Sequence, residues 1–483
     1  MSKYTHIIKQ HNPELADIYE KAGSPSKVLC VGLDYAKTNH TAMICNGEGQ
    51  ILKNAFDVRN NPEGLDFLIK RVGKICRKHS IHSDNVFFGG EDCGNFSKNF
   101  IEALRQRGFA VFRVDAGTAK KQRENFQASS DKLDLPGIVK TLVDRRCAVL
   151  APSSEAIVHL RSLMRHRGEL VESQTAESNR IHDVTDMLFP GFLDEKLSGV
   201  PPFSSASLWL MEDRFSVSRT IRRRSKTLIE RLRSHGAKEP AKMAANLQEY
   251  ASRVLLPPPD MVGVLQTSLS HEVALYKSIA AAVTQTERAA AKTLAKTEGA
   301  FLTTIRGTGI VLAAGVSSEI GPVASQPSTR RLTSYSGIVP RSKQTGGEES
   351  PPRYGRVSRR SNHRLKNSLV QCGNHMGLHG PADLMEDHGR RVANGQHADF
   401  GISRRYLRIA MRLMRNHCCY MPEDVRNDPD KNRRRDYYLR IWPKLRDKWR
   451  KAGALEEAFS QSNPLGEWKE CIETLYNISM PLK

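Results

Sequence analysis

No run of 18 apolar residues occurs anywhere in the 483-residue chain, so nothing in it reads as a membrane-spanning helix. The opening residues, MSKYTHIIKQHNPELADIYEK, lack an apolar core followed by a small-residue cleavage site. The expectation is a soluble protein that is not exported. Cysteine is sparse and odd in number, nine in all, at 30, 45, 76, 93, 147, 372, 418, 419 and 471. Scattered through apolar patterns, these thiols exclude a disulfide framework and point to a reducing cytoplasm. Cys372, His375 and His379 have spacings a zinc site can use, but no second cysteine pair lies near, and an amphipathic Gly-rich segment accounts for them equally well. Acidic residues are the other shortfall: 52 Asp and Glu face 74 Lys and Arg, a net charge of +22 and a pI near 9.7. Such a balance favours a polyanionic partner, nucleic acid first. The length suggests about three domains.

What is present is organised around Val28 to Asp34, VLCVGLD, which reads as a buried strand ending in a carboxylate. Val28–Asp34, Thr41–Cys45 and Ile51–Val58 form a meander, with the turn Asn46-Gly47-Glu48-Gly49 between the last two. Asn61-Pro62 then supplies an N-cap and an N1 proline, and Leu65, Leu68, Ile69, Val72 and Ile75 recur at helical spacing. A strand from Asn85 to Glu91, a helix that Ser97 caps and Gly108 ends, a strand Ala110–Asp115, and helical segments around Asp131 complete the order. Three meander strands followed by alternating helix and strand is the order of an RNase H-like fold.

In that fold the first and fourth strands are neighbours, so Asp34 and Glu91 converge although far apart in sequence. Asp131 and Asp134, at i and i+3, share one face of the helix beginning there. Four carboxylates on such a scaffold suit two Mg²⁺ ions, which want hard oxygen ligands and stabilise the attacking and leaving oxygens of an in-line phosphoryl displacement. Each acid also has a plain structural reading as a turn residue, cap or first-turn helix acid. Asp92 and Asp115 are spare carboxylates at strand ends.

Residues 151 to 300 differ. Leu160, Met164, Val171, Ile181, Val184 and Leu188 keep a roughly heptad spacing, and so do Val262, Leu265, Leu269, Tyr276, Ile279 and Val283. These predict long helices, antiparallel or paired across subunits, broken at Pro201-Pro202 and Pro257-Pro258-Pro259, with a basic run at Arg222 to Lys226. Ile305-Arg306-Gly307-Thr308-Gly309 reads either as a helix-hairpin-helix turn, whose backbone N–H groups meet a phosphate, or as an ordinary tight turn. A block from Tyr335 to Gly347 precedes a basic cluster, Arg353, Arg356, Arg359, Arg360, Arg364 and Lys366, which with Lys343 suits a nucleic-acid backbone. Beyond Met421 a charged linker, Asp428 to Arg435, leads to a basic helix with Tyr437, Tyr438, Leu439, Trp442, Leu445 and Trp449, read as a docking or nucleic-acid-binding helix.

Gly32-Leu33-Asp34, Glu91-Asp92-Cys93-Gly94, Ser130-Asp131-Lys132-Leu133-Asp134, Tyr335 to Pro340 and Arg356 to Lys366 together resemble the DEDD transposases of bacterial insertion sequences, the group known as IS110. Members of that group are similar to the junction resolvase RuvC at the N-terminus. The resemblance spans roughly residues 28 to 145 and 300 to 380. It implies an RNase H-like (RuvC-like) α/β domain, a helical or coiled-coil middle and a mostly helical C-terminal transposase domain. The expected segments are an arm at 1–27, the catalytic domain at 28–150, the helical region at 151–300, the C-terminal domain at 301–420 and a basic tail at 421–483. It further implies that Asp34, Glu91, Asp131 and Asp134 bind Mg²⁺, with Mn²⁺ as a substitute, and that a hydroxyl beside a glycine in the C-terminal domain joins covalently to DNA. Implied partners are donor and target DNA, a structured bridge RNA and further copies of the chain in a homodimer or homotetramer, with no membrane.

Where the group has Ser-Gly, this chain has Thr345-Gly346, whose extra methyl restricts χ1 and crowds the attack. Thr345 is the candidate nucleophile, with Ser342 and Ser336 as alternatives. The expected activity is a bacterial, nucleoid-associated DNA recombinase. Two other readings stay open: a RuvC-like endonuclease or resolvase in which metal-activated water attacks, and an inactive nucleic-acid-binding derivative.

Overall fold

The protein's structure is a computed structural model. It describes residues 13–91, 96–122, 131–149, 154–212, 215–323, 326, 328–343, 353–357 and 361–482, with side chains except at 13, 131–133, 148–149, 340–343, 353–354 and 356. The chain divides into two compact units, Met1–Pro152 and Ser153–Lys483.

The first unit contains α1 (Pro13–Ala22), β1 (Leu29–Asp34), β2 (Asn39–Asn46), β3 (Ile51–Arg59), α2 (Pro62–His79), β4 (Val86–Glu91), α3 (Lys98–Gln106), β5 (Ala110–Val114), α4 (Ala116–Lys121), α5 (Asp131–Val143) and β6 (Ala148–Val149). The strands make one sheet in the order β3-β2-β1-β4-β5-β6, antiparallel through β3, β2 and β1 and parallel from β1 through β4 to β5. This is the RNase H-like order expected from the sequence. Asn61 caps α2 as anticipated, its Oδ1 accepting from the Gly64 N–H at 2.8 Å. Ser97 sits at the start of α3 but makes no capping bond. Its neighbour in role, Asp115, does cap: its carboxylate accepts from the N–H and hydroxyl of Thr118 at 2.9 and 3.0 Å.

The sheet is covered on both faces because both sides of β1 and β4 are apolar. Leu29, Val31, Leu33 and Phe88 pack on one side with Leu65, Leu68, Ile101 and Leu104 of α2 and α3. Cys30, Phe87 and Phe112 pack on the other with Leu15, Ile18, Leu135, Ile138 and Leu142 of α1 and α5. Buried on both faces, these strands need near-continuous apolar sequence.

The second unit opens with α6 (Glu155–Leu188). After it come the short helices α7 (Glu195–Ser198), α8 (Ser205–Glu212), α9 (Val217–Arg222), α10 (Ser225–Ser234) and α11 (Pro240–Ala251), then α12 (Pro259–Leu294). The Arg167–Glu287 ion pair at 2.8 Å, with Ile181 clustered beside Leu265 and Leu269, shows that α6 and α12 run antiparallel within one chain. The heptad spacing therefore has an intramolecular partner. The α7 to α11 helices enclose a core of their own around Phe189, Phe192 and Phe215 at the far end of that pair.

The remaining elements are a 3₁₀ turn (Glu298–Thr304), α13 (Ile310–Ile320), α14 (Thr329–Ser336), β7 (Pro340–Lys343), β8 (Arg353–Val357), α15 (His363–His379), α16 (Ala382–Ala393), α17 (Ala398–Arg415), α18 (Glu423–Arg426), α19 (Lys431–Lys451), α20 (Leu455–Ala458) and α21 (Pro464–Tyr476). Most of these helices share one large core, while Val425 of α18 packs with Met421 and Tyr437 in a small cluster of its own. Two readings change here. The charged stretch at 428–435 is a linker only to Asp430, whose side chain accepts from the Asn432 N–H at 2.9 Å and starts α19. Most of the apolar stripe of α19 is interior: Tyr437, Trp442, Leu445 and Trp449 are buried, whereas Leu439 is exposed with the basic residues.

Candidate active site

β1 and β4 pair in register from Leu29↔Val86 to Asp34↔Glu91. Both strands end on an acid, and pairing sets the two acids side by side. Side chains alternate across a strand, so Asp34 faces the same way as Gly32 and Cys30, and Glu91 the same way as Gly89 and Phe87. That is the face α5 covers.

The glycines let the helix come close. A Cβ on Gly32 would lie 2.4 Å from Val139 Cγ2, and one on Gly89 2.3 Å from Leu142 Cδ2. Gly49, in the turn opposite the start of β1, lies against Val143. From Val143 to Val139 the helix therefore advances toward Asp34, antiparallel to β1. Two strand residues span roughly 6.7 Å and a helix rises about 1.5 Å per residue. Moving from Gly32 to Asp34 thus corresponds to moving from Val139 back to about Asp134. Asp34, Glu91 and Asp134 are each half-buried, and Asp134 Oδ1 is shielded from water.

Asp131 begins α5 at the same end, and its side chain lies outside the described residues, as does Asp92. Among the described residues no group of three or more His, Cys, Asp and Glu stands close enough to hold a metal ion. Asp34 and Glu91 are brought together; Asp134 is brought to the same end of the sheet.

The sequence gives no hint of His40. It is buried, and its Nδ1 accepts from the Ala36 N–H at 3.1 Å, closing the turn just after Asp34. Burial lowers its pKa, which favours the neutral ring this bond needs. Its edge packs on Phe100 at 4.5 Å between centroids.

In the second unit, β7 and β8 pair as a ribbon, Pro340↔Val357 to Lys343↔Arg353, and residues 344–352 connect them. Thr345, Arg359 and Arg360 lie outside the described residues, and for Lys343, Arg353 and Arg356 only the backbone is described. Arg364 is exposed and Lys366 half-buried in the first turns of α15. A cation there opposes the helix macrodipole, which an anionic partner would offset. Ser336 is buried and donates its hydroxyl to the Thr333 carbonyl at 3.0 Å, so it closes a helix end and offers no free nucleophile.

The ribbon's two feet are joined by Asn362, which is anchored on Glu319 near the end of α13. This buried carboxylate accepts from Arg165 Nε and Nη2 at 2.9 and 3.2 Å and from Asn362 Nδ2 at 2.8 Å. Asn362 follows the ribbon, and it also donates through Nδ2 to Tyr335 Oη at 3.0 Å and through its backbone N–H to the Tyr335 carbonyl at 2.9 Å, just before the ribbon. Burial alone would raise the Glu319 pKa, but the Arg165 guanidinium and the Asn362 amide outweigh it and hold it below the usual range. A depressed carboxyl pKa adds stability above the unfolded value and loses it as pH falls through the folded one. Glu319→Gln is therefore expected to cost about 2 kcal/mol at pH 7. It should also flatten the loss of stability below about pH 4, measured by urea unfolding against pH.

Comparison with known families bears on both units. A transposase family model, that of the IS110 DEDD transposases, matches residues 31–190, from β1 through α6. A second, described as the transposase IS116/IS110/IS902 family, matches residues 299–383, which include the ribbon and Asn362. The chain belongs to the IS110 family of transposases. No curated protein matches it. As a DNA transposase it acts on DNA, and among its described residues no helix is long and apolar enough to cross a membrane. The first match ends at the C-terminus of α6, beyond the span the motifs alone suggested. The second stops at Asp383, leaving α17 to α21 outside either family model.

Proposed function

We propose that this transposase cuts and rejoins DNA strands with the carboxylates Asp34, Glu91, Asp131 and Asp134 and the hydroxyl of Thr345. The observation that carries the reading is the register Asp34↔Glu91, with α5 arriving at the same strand ends. Asp34, Glu91, Asp131 and Asp134 would hold Mg²⁺, or Mn²⁺ in its place; hard carboxylate oxygens fit either ion. When bound, the metal would neutralise charge on the attacking and leaving oxygens.

The chain's own groups do the rest. Thr345 Oγ attacks the scissile phosphorus, its proton leaves to solvent or a neighbouring base, and the bond from phosphorus to the departing sugar oxygen breaks as that oxygen takes up a proton. The threonyl phosphodiester conserves the bond until a sugar hydroxyl of another strand attacks it and releases Thr345. Lys343, Arg353, Arg356, Arg359, Arg360, Arg364 and Lys366 hold phosphates during the exchange. A structured bridge RNA would choose donor and target by base pairing, and a homodimer or homotetramer would bring two active sites to the two duplexes.

The test is a supercoiled plasmid carrying the element's ends, incubated with the flanking transcript and Mg²⁺ or EDTA, then quenched in denaturant. Expected are cleavage in Mg²⁺ alone, dependence on the transcript, and a covalent protein–DNA adduct. Thr345→Ala should abolish the adduct, and Ser336→Ala should retain it while costing about 1 kcal/mol of stability. Threonine where the family carries serine favours one second reading, attack by water. Cleavage without any adduct would establish that instead, and no cleavage by any preparation would leave a binding protein.

A further inference from the structure

A cavity of about 920 Å³ opens in the second unit between the Arg306-Gly307 turn, α16 and α19. Its back wall is cross-linked by hydrogen bonds. Lys448 is largely buried and donates from Nζ to the carbonyls of Thr303 and Thr308, the latter at 2.7 Å, tying α19 to the turn. Burial lowers its pKa to about 8, so it still carries the proton those bonds need at neutral pH. Gly307 lies at φ +86°, and a Cβ there would meet Met376 and the His379 carbonyl, so the turn cannot be filled in. The turn follows a 3₁₀ segment, Glu298–Thr304, and not an α-helix, which sets it apart from a helix-hairpin-helix.

The lining carries both signs of charge. Arg306, Arg440 and Lys444 are exposed cations at the cavity, and among the described residues none of them forms an ion pair. The Arg440 guanidinium lies over the Tyr437 ring, 5.4 Å from its centroid, leaving its outer plane as a stacking surface. Glu386 and Asp424 are exposed carboxylates on the same cavity, also without an ion pair among the described residues. By contrast Asp383 is engaged by Arg405 at 2.7 Å and by Tyr420 Oη at 3.3 Å. A ligand that satisfies the open groups needs an anionic part, a flat part and hydrogen-bond donors. An amino-bearing nucleotide has all three: phosphate for the cations, a base to lie on Arg440, and exocyclic N–H groups for a carboxylate. The volume exceeds what one nucleotide needs.

We propose that this cavity receives a single unpaired nucleotide with an amino-bearing base, such as guanine, projecting from nucleic acid bound by the transposase. The proposal rests on the nucleic-acid-binding reading and deepens it, because α19 and the residues around Tyr420 lie outside both family matches.

The test measures binding of the full-length protein to four labelled probes: paired duplex DNA, the same duplex with one bulged guanosine, the same with one bulged thymidine, and an RNA duplex with one bulged guanosine. Wild type is expected to bind a bulged guanosine about tenfold more tightly than the paired duplex, the scale of one stacked base. Arg440→Ser with Lys444→Ser should remove most of that gain while changing paired-duplex binding about twofold. Glu386→Gln with Asp424→Asn should erase the preference for guanosine over thymidine, with melting temperature unchanged as the folding control. Whether the DNA or the RNA bulge gains identifies the source of the nucleotide. Equal affinity for bulged and paired probes, or equal losses on both in the Arg440 and Lys444 variant, overturns the cavity proposal. Absence of binding to any probe would overturn the underlying reading instead.

Discussion

Asp34→Asn and Glu91→Gln are each expected to lower plasmid cleavage by about a thousandfold, roughly 4 kcal/mol of transition-state stabilisation. Both changes are isosteric. They keep the shape of the side chain and remove the charge, so they separate a metal ligand from a packing residue. Because the two acids are partners in one register and half-buried, each amide should fold: thermal unfolding should shift by no more than about 0.5 kcal/mol. Asp115→Asn is the matched control, since Asp115 is a carboxylate in the same unit committed to capping α4. It is expected to cost under about 1 kcal/mol of stability and to leave cleavage unaltered. Cleavage within tenfold of wild type in both Asp34→Asn and Glu91→Gln would sink the assignment of these acids to catalysis.

Gly90→Ala should produce a large loss of stability for a single added methyl in the first unit. Its Cβ would stand 2.3 Å from the Leu33 carbonyl oxygen and 2.5 Å from the Tyr35 ring. The carbonyl belongs to the backbone of β1 and cannot rotate aside, so β1 and β4 must separate immediately before Asp34 and Glu91. A cost of about 3 kcal/mol follows from forced overpacking, and cleavage should fall with it because the carboxylates move apart. Gly73→Ala is the counter-case. It lies within α2 with nothing within 4 Å of a Cβ, and helix propensity should make it stabilising by about 0.5–1 kcal/mol. Equilibrium urea unfolding of both variants decides the matter. Equal and small effects would mean that the close approach of the two strands is not tightly set.

Much of the first unit is legible because its signals are local. The alternation in VLCVGLD, the Asn61-Pro62 cap and the helical recurrence from Leu65 onward each constrain a few neighbouring residues, and the observed elements follow them to within a residue or two. Asp34 and Glu91 could be singled out because each is the acid at the end of an otherwise apolar strand. Other features left no comparable trace. α1 reads as a polar stretch, yet Leu15, Ile18 and Tyr19 cover one face of the sheet. The aromatic residues of α19 look equally suited to a partner or to a core, and burial alone settles them as core.

The order of strands and helices, the acids at the strand ends, the heptad spacing of two long helices and the positive charge were determined by the sequence alone, since each depends on residues near one another in the chain. Only tertiary structure decided the register in which Asp34 meets Glu91, that α5 can approach them over Gly32 and Gly89, that Asn362, anchored on Glu319, joins both feet of the ribbon, and that Arg306 and Lys444 share a cavity with Glu386. Those are contacts between distant segments. They depend on which faces pack and how closely, and a missing Cβ or a paired register acquires its meaning only when the second surface is in place.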